Sequence, residues 1–114
     1  MWGTIARMRV RPGAEQFLFT QFHSMRNAER MPGWLFTHLF RADTDPREYW
    51  MVAMFTDKEA YQRNAESPGQ NQVYLLIRSC LEADPEWHDV EEADLVSGVS
   101  DPSRQRLGDA PGSA

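Results

Sequence analysis

The 114-residue chain is 41% hydrophobic and 11% aromatic, enough apolar mass for a single core without disulfide or metal staples. Seventeen acidic residues against 12 Lys+Arg give a net charge of −5, the wrong sign for a protein that lives on nucleic-acid phosphates or anionic lipid. One cysteine, Cys80, excludes an internal disulfide and a Cys-rich zinc site, and no apolar run reaches bilayer length, so no nucleic-acid or membrane partner is expected and a cytoplasmic setting is.

Residues Trp2 to Arg11 alternate, with Trp2, Thr4, Ala6, Met8 and Val10 on one face and Ile5, Arg7, Arg9 and Arg11 on the other. This predicts a strand with an apolar side and a basic side. Pro12-Gly13 stops it, and the spacing of Phe17, Leu18, Gln21 and Met25 predicts a helix from Ala14 to about Glu29. Met31-Pro32-Gly33 turns the chain into a second strand, Trp34 to Ala42, in which Trp34, Phe36, His38 and Phe40 share one face. Asp43 to Arg47 has turn composition and closes a hairpin onto a third strand, Tyr49 to Phe55, which carries no charge and should be covered on both faces.

At Thr56-Asp57 the apolar run ends in a helix start, with Glu59 three residues after Thr56 in the pattern of a capping box. A short helix is expected over Asp57 to Glu66, interrupted at Ser67-Pro68-Gly69 and continued from Gln70 to about Leu81, where Cys80 falls on the core side. Ala83-Asp84-Pro85 ends that segment, and Trp87 to Val96 reads as an acidic edge strand. The folded domain thus spans 1–96. Residues 97–114, almost without large apolar side chains, are expected to be a disordered tail.

The order β-α-β-β-α-β is that of an α+β, ferredoxin-like split βαβ fold, a four-stranded antiparallel sheet with its helices on one face. If Tyr49, Met51, Ala53 and Phe55 face the helices, Trp50, Val52 and Met54 lie on the uncovered face, and a patch of that size predicts a homodimer packed sheet to sheet. The Arg7, Arg9 and Arg11 stripe should share that face, with Asp89, Glu91, Glu92 and Asp94 of the fourth strand as partners.

Four short motifs in this order carry a family resemblance: Val10-Arg11-Pro12-Gly13 before the first helix, Met31-Pro32-Gly33-Trp34 opening the second strand, Asp45-Pro46 in the hairpin, and Ser67-Pro68 after the strand-to-helix switch. Over residues 3 to 96 the chain resembles the antibiotic biosynthesis monooxygenase domain of the dimeric α+β barrel superfamily. That resemblance implies a small cofactor-independent oxygenase acting with O2 on an aromatic polyketide, quinol or phenol. The chain departs from the family at Phe55, where Trp is common, at Asn64, where His is common, and at Gly69, where His often follows Ser-Pro. The places matching the heme-degrading relatives hold Ala6, Asn64 and no histidine, so heme degradation is not expected.

The strand-to-helix switch can put Phe55 and Tyr61 beside one pocket. Tyr61 is the leading catalytic candidate, because a phenol can hydrogen-bond a substrate oxygen and hold its anion for reaction with O2; ordinary helix-to-sheet packing also accounts for a tyrosine there. Asn64, three residues on, could bind the same oxygen, or simply face solvent. His38, between Phe36 and Phe40, could serve as a base, or sit in a pocket wall or dimer interface. Trp34, Phe36, Met51, Phe55 and Phe22 are the candidate walls for a small aromatic molecule, although core packing explains much of that set. The three histidines are too scattered for a metal site, no dinucleotide or phosphate loop is present, and no cofactor is expected. The alternative is a non-catalytic, ligand-binding or stress-associated dimer of the same fold. An open, partly polar cavity behind Tyr61 favours the oxygenase; a filled core favours the alternative.

Overall fold

The computed structural model describes residues 1–25 and 31–98. Four strands, β1 (Trp2–Arg9), β2 (Trp34–Arg41), β3 (Glu48–Phe55) and β4 (Glu86–Glu91), form one antiparallel sheet in the order β2-β3-β1-β4. Helices α1 (Glu15–Ser24), α2 (Lys58–Ala65) and α3 (Pro68–Ser79) complete the ferredoxin-like α+β arrangement, with the single interrupted second helix realised as two. The expected continuation of the first helix to Glu29 and most of the expected tail lie outside the described residues. Among the described residues, no helix is long and apolar enough to cross a membrane.

Strand alternation sets the core. Thr4, Ala6 and Met8 of β1 and Tyr49, Met51, Ala53 and Phe55 of β3 are buried on the helix side, where Leu18, Ile77, Cys80 and Leu81 pack against them. Val10 continues the β1 face beyond the strand by bridging Leu81, so residues 10 and 81 tie the end of α3 to the sheet. The opposite face is uncovered among the described residues: Ile5, Trp50, Val52, Met54 and Val90 are half-buried, and Phe40 is 53% exposed.

Three local expectations are corrected. A bulge between Trp34 and Phe36 inserts Leu35 into β2, so Trp34 pairs with Phe55 on the helix side while Phe36, His38 and Phe40 line the open face. The α2 cap is Asp57, not Thr56: its carboxylate accepts the Ala60 N–H at 2.8 Å, which leaves no capping box. The fourth strand is shorter than expected, and its register sends Asp89 and Glu91 to the helix side, opposite Thr4 and Trp2. They cannot meet the arginine stripe. Arg7 instead pairs with Glu48 at 2.6 Å, and Arg9 with Asp45 at 2.6 Å and Glu82 at 3.1 Å, while Arg47 also bonds Glu82. Hydrogen bonding from Arg7 holds the Glu48 carboxyl below its usual range, and that from Arg9 does the same for Asp45.

Gly33 joins the turn to the site. It sits at φ +84°, its carbonyl accepts the Thr56 N–H at 2.8 Å, and a Cβ there would lie 2.5 Å from the Ala60 Cβ. The start of β2 and the start of α2 therefore touch at a point where only hydrogen fits.

Candidate functional site

A cavity of about 410 Å³ lies between the helix side of the sheet and the helices, within the range of roughly 300–1,000 Å³ usual for small-molecule sites. Its floor is Thr4, Met8, Met51, Ala53 and Phe55, the inward residues of β1 and β3. Phe22 from α1, Met25 just after it, and Tyr74 and Ile77 from α3 close it over, and Trp87 and Asp89 of β4 stand at one edge. The walls are largely apolar, and the Tyr61–Asp89 pair forms a polar corner where α2 meets β4.

Tyr61 is the centre of that polar corner. The Asp57 cap starts α2 so that Ala60 packs into the core and the next side chain leans over β1 and β3. Its ring lies 4.9 Å from that of Trp2 and 5.6 Å from that of Phe55, between centroids. Its hydroxyl donates to Asp89 Oδ1 at 3.1 Å. Burial, and then the neighbouring Asp89 carboxylate, push the Tyr61 phenol above its ordinary pKa, because both disfavour a second anion there. Tyr61 is thus protonated at neutral pH. Asn64 lines the same cavity one helical turn along, with Gln70 and Asn71 from α3 as further amides.

The other candidates divide between two places. Met51, Phe55 and Phe22 line the cavity with Tyr61 and Asn64. Trp34 and Phe36 border a second, wider concavity of about 690 Å³ at the β2 edge, which shares Phe22 and Thr37 with the first. The Trp34 Nε1–H donates to Thr37 Oγ1 at 3.0 Å, which holds the indole at that rim. His38 borders neither. It is exposed on the open sheet face, tilted against Phe36 at 4.7 Å and edge-on to Phe40 at 5.6 Å, because two-residue alternation carries it with those neighbours. Among the described residues, no group of three or more His, Cys, Asp or Glu is placed to hold a metal ion.

Asp89 is the site residue that sequence reasoning missed. Alternation in an acidic edge strand by itself makes it one more partner for arginine. The signal was present in the alternation, since Trp87 and Asp89 are two apart and must share a face, but the β1–β4 register that turns that face toward Tyr61 is a tertiary property.

Solved structures of the same fold include a conserved protein from Methanosarcina mazei Go1, 15% identical with a TM-score of 0.71, covering 80% of this chain and 91% of that one. They also include SnoaB, a cofactor-independent oxygenase from Streptomyces nogalater. A mutant of it is 20% identical with a TM-score of 0.70, and a second structure of it is 18% identical with a TM-score of 0.69; each covers 83% of this chain and 95% of that one. No curated protein matches the chain. The sequence model of antibiotic biosynthesis monooxygenases matches residues 1–73, from β1 through the middle of α3, and so takes in the strand-to-helix switch, Tyr61 and Asn64. By that match over well more than half its length, the chain belongs to the antibiotic biosynthesis monooxygenase family.

Proposed function

We propose that this protein is a cofactor-independent monooxygenase that uses O2 to oxidise a hydroxylated polycyclic aromatic or quinol. The observation that carries this reading is the open apolar cavity with one protonated phenol, Tyr61, at its polar corner beside Asn64. A filled core behind Tyr61 would have pointed to the non-catalytic alternative.

In this reaction the substrate supplies its own electrons. Loss of a phenolic or enolic proton gives an electron-rich anion, which Tyr61 stabilises by donating a hydrogen bond to its oxygen, with the Asn64 amide as a second donor. The anion passes one electron to O2, and the radical pair combines into a substrate peroxide anion. That anion takes back the proton, and loss of water leaves a carbonyl. For an activated methylene the balance is CH2 + O2 → C=O + H2O. The apolar floor of Met51, Ala53 and Phe55 excludes water, which strengthens each hydrogen bond to the anion.

The test is O2 uptake by the purified protein with anthrones, naphthohydroquinones and catechols, against buffer autoxidation. Wild type should exceed that background with at least one ring class, and Tyr61→Phe should lose about 100- to 1,000-fold in kcat, the range for one oxyanion donor. Uptake at the background rate across the panel would return the protein to the ligand-binding alternative.

A further inference from the structure

Resting on the oxygenase reading, we propose that Tyr61 and Asp89 form a two-residue proton relay in which the Asp89 carboxylate is the acceptor for the substrate's phenolic or enolic proton. The cavity has no other carboxylate among its described lining residues. The Tyr61 O–H points at Asp89 Oδ1, 3.1 Å away, so its proton is engaged; the Thr4 hydroxyl also reaches the Tyr61 oxygen but donates to the His88 carbonyl, and the phenol oxygen keeps acceptor capacity for a donor. The bound substrate supplies that donor as its own O–H.

The step balances without an oxidant. The substrate O–H bond breaks as a new Tyr61 O–H bond forms, and the old Tyr61 O–H bond breaks as the proton joins Asp89. Two bonds form, two break, and the negative charge moves from Asp89 to the substrate oxygen. The new Tyr61 O–H now points at that oxygen, which is the donor that the anion needs. After O2 has added, the same relay run backwards returns the proton to the peroxide. Without Asp89, Tyr61 can still hold an anion but has no base behind it.

The fold holds the pair in place. Asp89 is opposite Thr4 in the β1–β4 register, and the Thr4 hydroxyl donates to the neighbouring His88 carbonyl at 3.2 Å. Asp89 itself is exposed at the edge of the sheet, where its proton can exchange with solvent. The titratable and charged groups of the packed elements are few. Helix α2 brings Lys58, whose ammonium lies 5.6 Å from the Trp2 ring centroid, with exposed Glu59 and Arg63; α3 brings Tyr74; β4 brings Glu91 on the same face; and β1 brings none on that face. His88 and Glu86 pair with each other on the far side of β4.

The experiment compares wild type, Asp89→Asn, Asp89→Glu and Tyr61→Phe in full-length protein. With a substrate whose hydroxyl stays neutral over the pH range, the wild-type kcat/KM should show an acid limb. Asp89→Asn should lose about 100-fold or more and show no such limb, in line with removal of a general base, and Asp89→Glu should restore both in part. Combining Asp89→Asn with Tyr61→Phe should add little to either alone. A second readout does not require turnover: binding of a hydroxynaphthoquinone that is anionic at neutral pH should draw about one proton from the buffer as Asp89 is neutralised, measured by calorimetry in two buffers, and Asp89→Asn should draw none. If Asp89→Asn oxidises substrate with the wild-type rate and pH profile, the relay is overturned and the oxygenase stands. If nothing is oxidised yet the one-proton uptake depends on Asp89, the oxygenase falls and the relay stands as a binding device. If nothing is oxidised and binding is absent or takes up no proton, both fall.

Discussion

At the scale of single residues, the interior contrasts one satisfied tyrosine with one unsatisfied tyrosine. Tyr61 uses its hydroxyl on Asp89, whereas the Tyr49 hydroxyl is buried beneath α1, with its ring 6.1 Å from that of Phe19, and finds no hydrogen-bond partner among the described residues. A buried polar atom left unpaired costs about 1–3 kcal/mol in desolvation, while the ring around it contributes ordinary core packing. Tyr49→Phe removes the penalty and keeps the ring. It should therefore raise stability by about 1 kcal/mol in a urea titration, and a loss of that size would show that the hydroxyl has a partner in solution. Tyr61 is a better functional candidate than Tyr49: the residue is only partly buried, lines the cavity, and its hydroxyl is already oriented by Asp89.

At the scale of elements, the site depends on where α2 begins. Asp57 caps the helix, Gly33 lets β2 approach within contact of Ala60, and Tyr61 follows immediately. Gly33→Ala meets two obstacles, a positive φ that costs about 1–3 kcal/mol for a residue with a Cβ and a 2.5 Å approach to the Ala60 Cβ that must push α2 away. Gly13→Ala shares the first obstacle at φ +82° but has nothing within 4 Å of its Cβ. Thermal unfolding of both variants should show the larger loss at Gly33. Only Gly33→Ala should also lower the affinity of the cavity for an aromatic ligand; equal affinities would mean that α2 does not transmit the clash to Tyr61.

For the whole molecule, the open sheet face calls for a second copy of the chain. Ile5, Phe36, Phe40, Trp50, Val52 and Met54 form an apolar surface on a protein whose net charge is −5, and the arginines beside them are already paired within the chain. A single sheet covered on one side leaves that surface in water, and two such sheets face to face bury it at once. We propose that the protein is a homodimer through this face. Val52 sits between Ile5 and His38 in the sheet, so Val52→Asp places a charge in the middle of the interface. Sedimentation should give a dimer for wild type and a monomer for Val52→Asp, and a monomeric wild type at micromolar concentration would remove the proposal.

What the sequence determined by itself was the architecture. Two-residue alternation in Trp2 to Val10 and Tyr49 to Phe55, and helical spacing after Pro12-Gly13 and Ser67-Pro68, specify which side of each element is apolar, and with the element order they allow one sheet with helices on one face. Tyr61 beside Phe55 was legible for the same reason, since both belong to one short strand-to-helix switch. What only the tertiary structure decided were the pairings between segments far apart in the chain. The Leu35 bulge moved Trp34 away from His38, alternation left His38 on the face away from the cavity, and the β4 register took Asp89 from the arginines and gave it to Tyr61, 28 residues away. Register and bulges are set by packing across the whole sheet, where a slip of one residue exchanges the two faces, and nothing local to either strand records which choice is made.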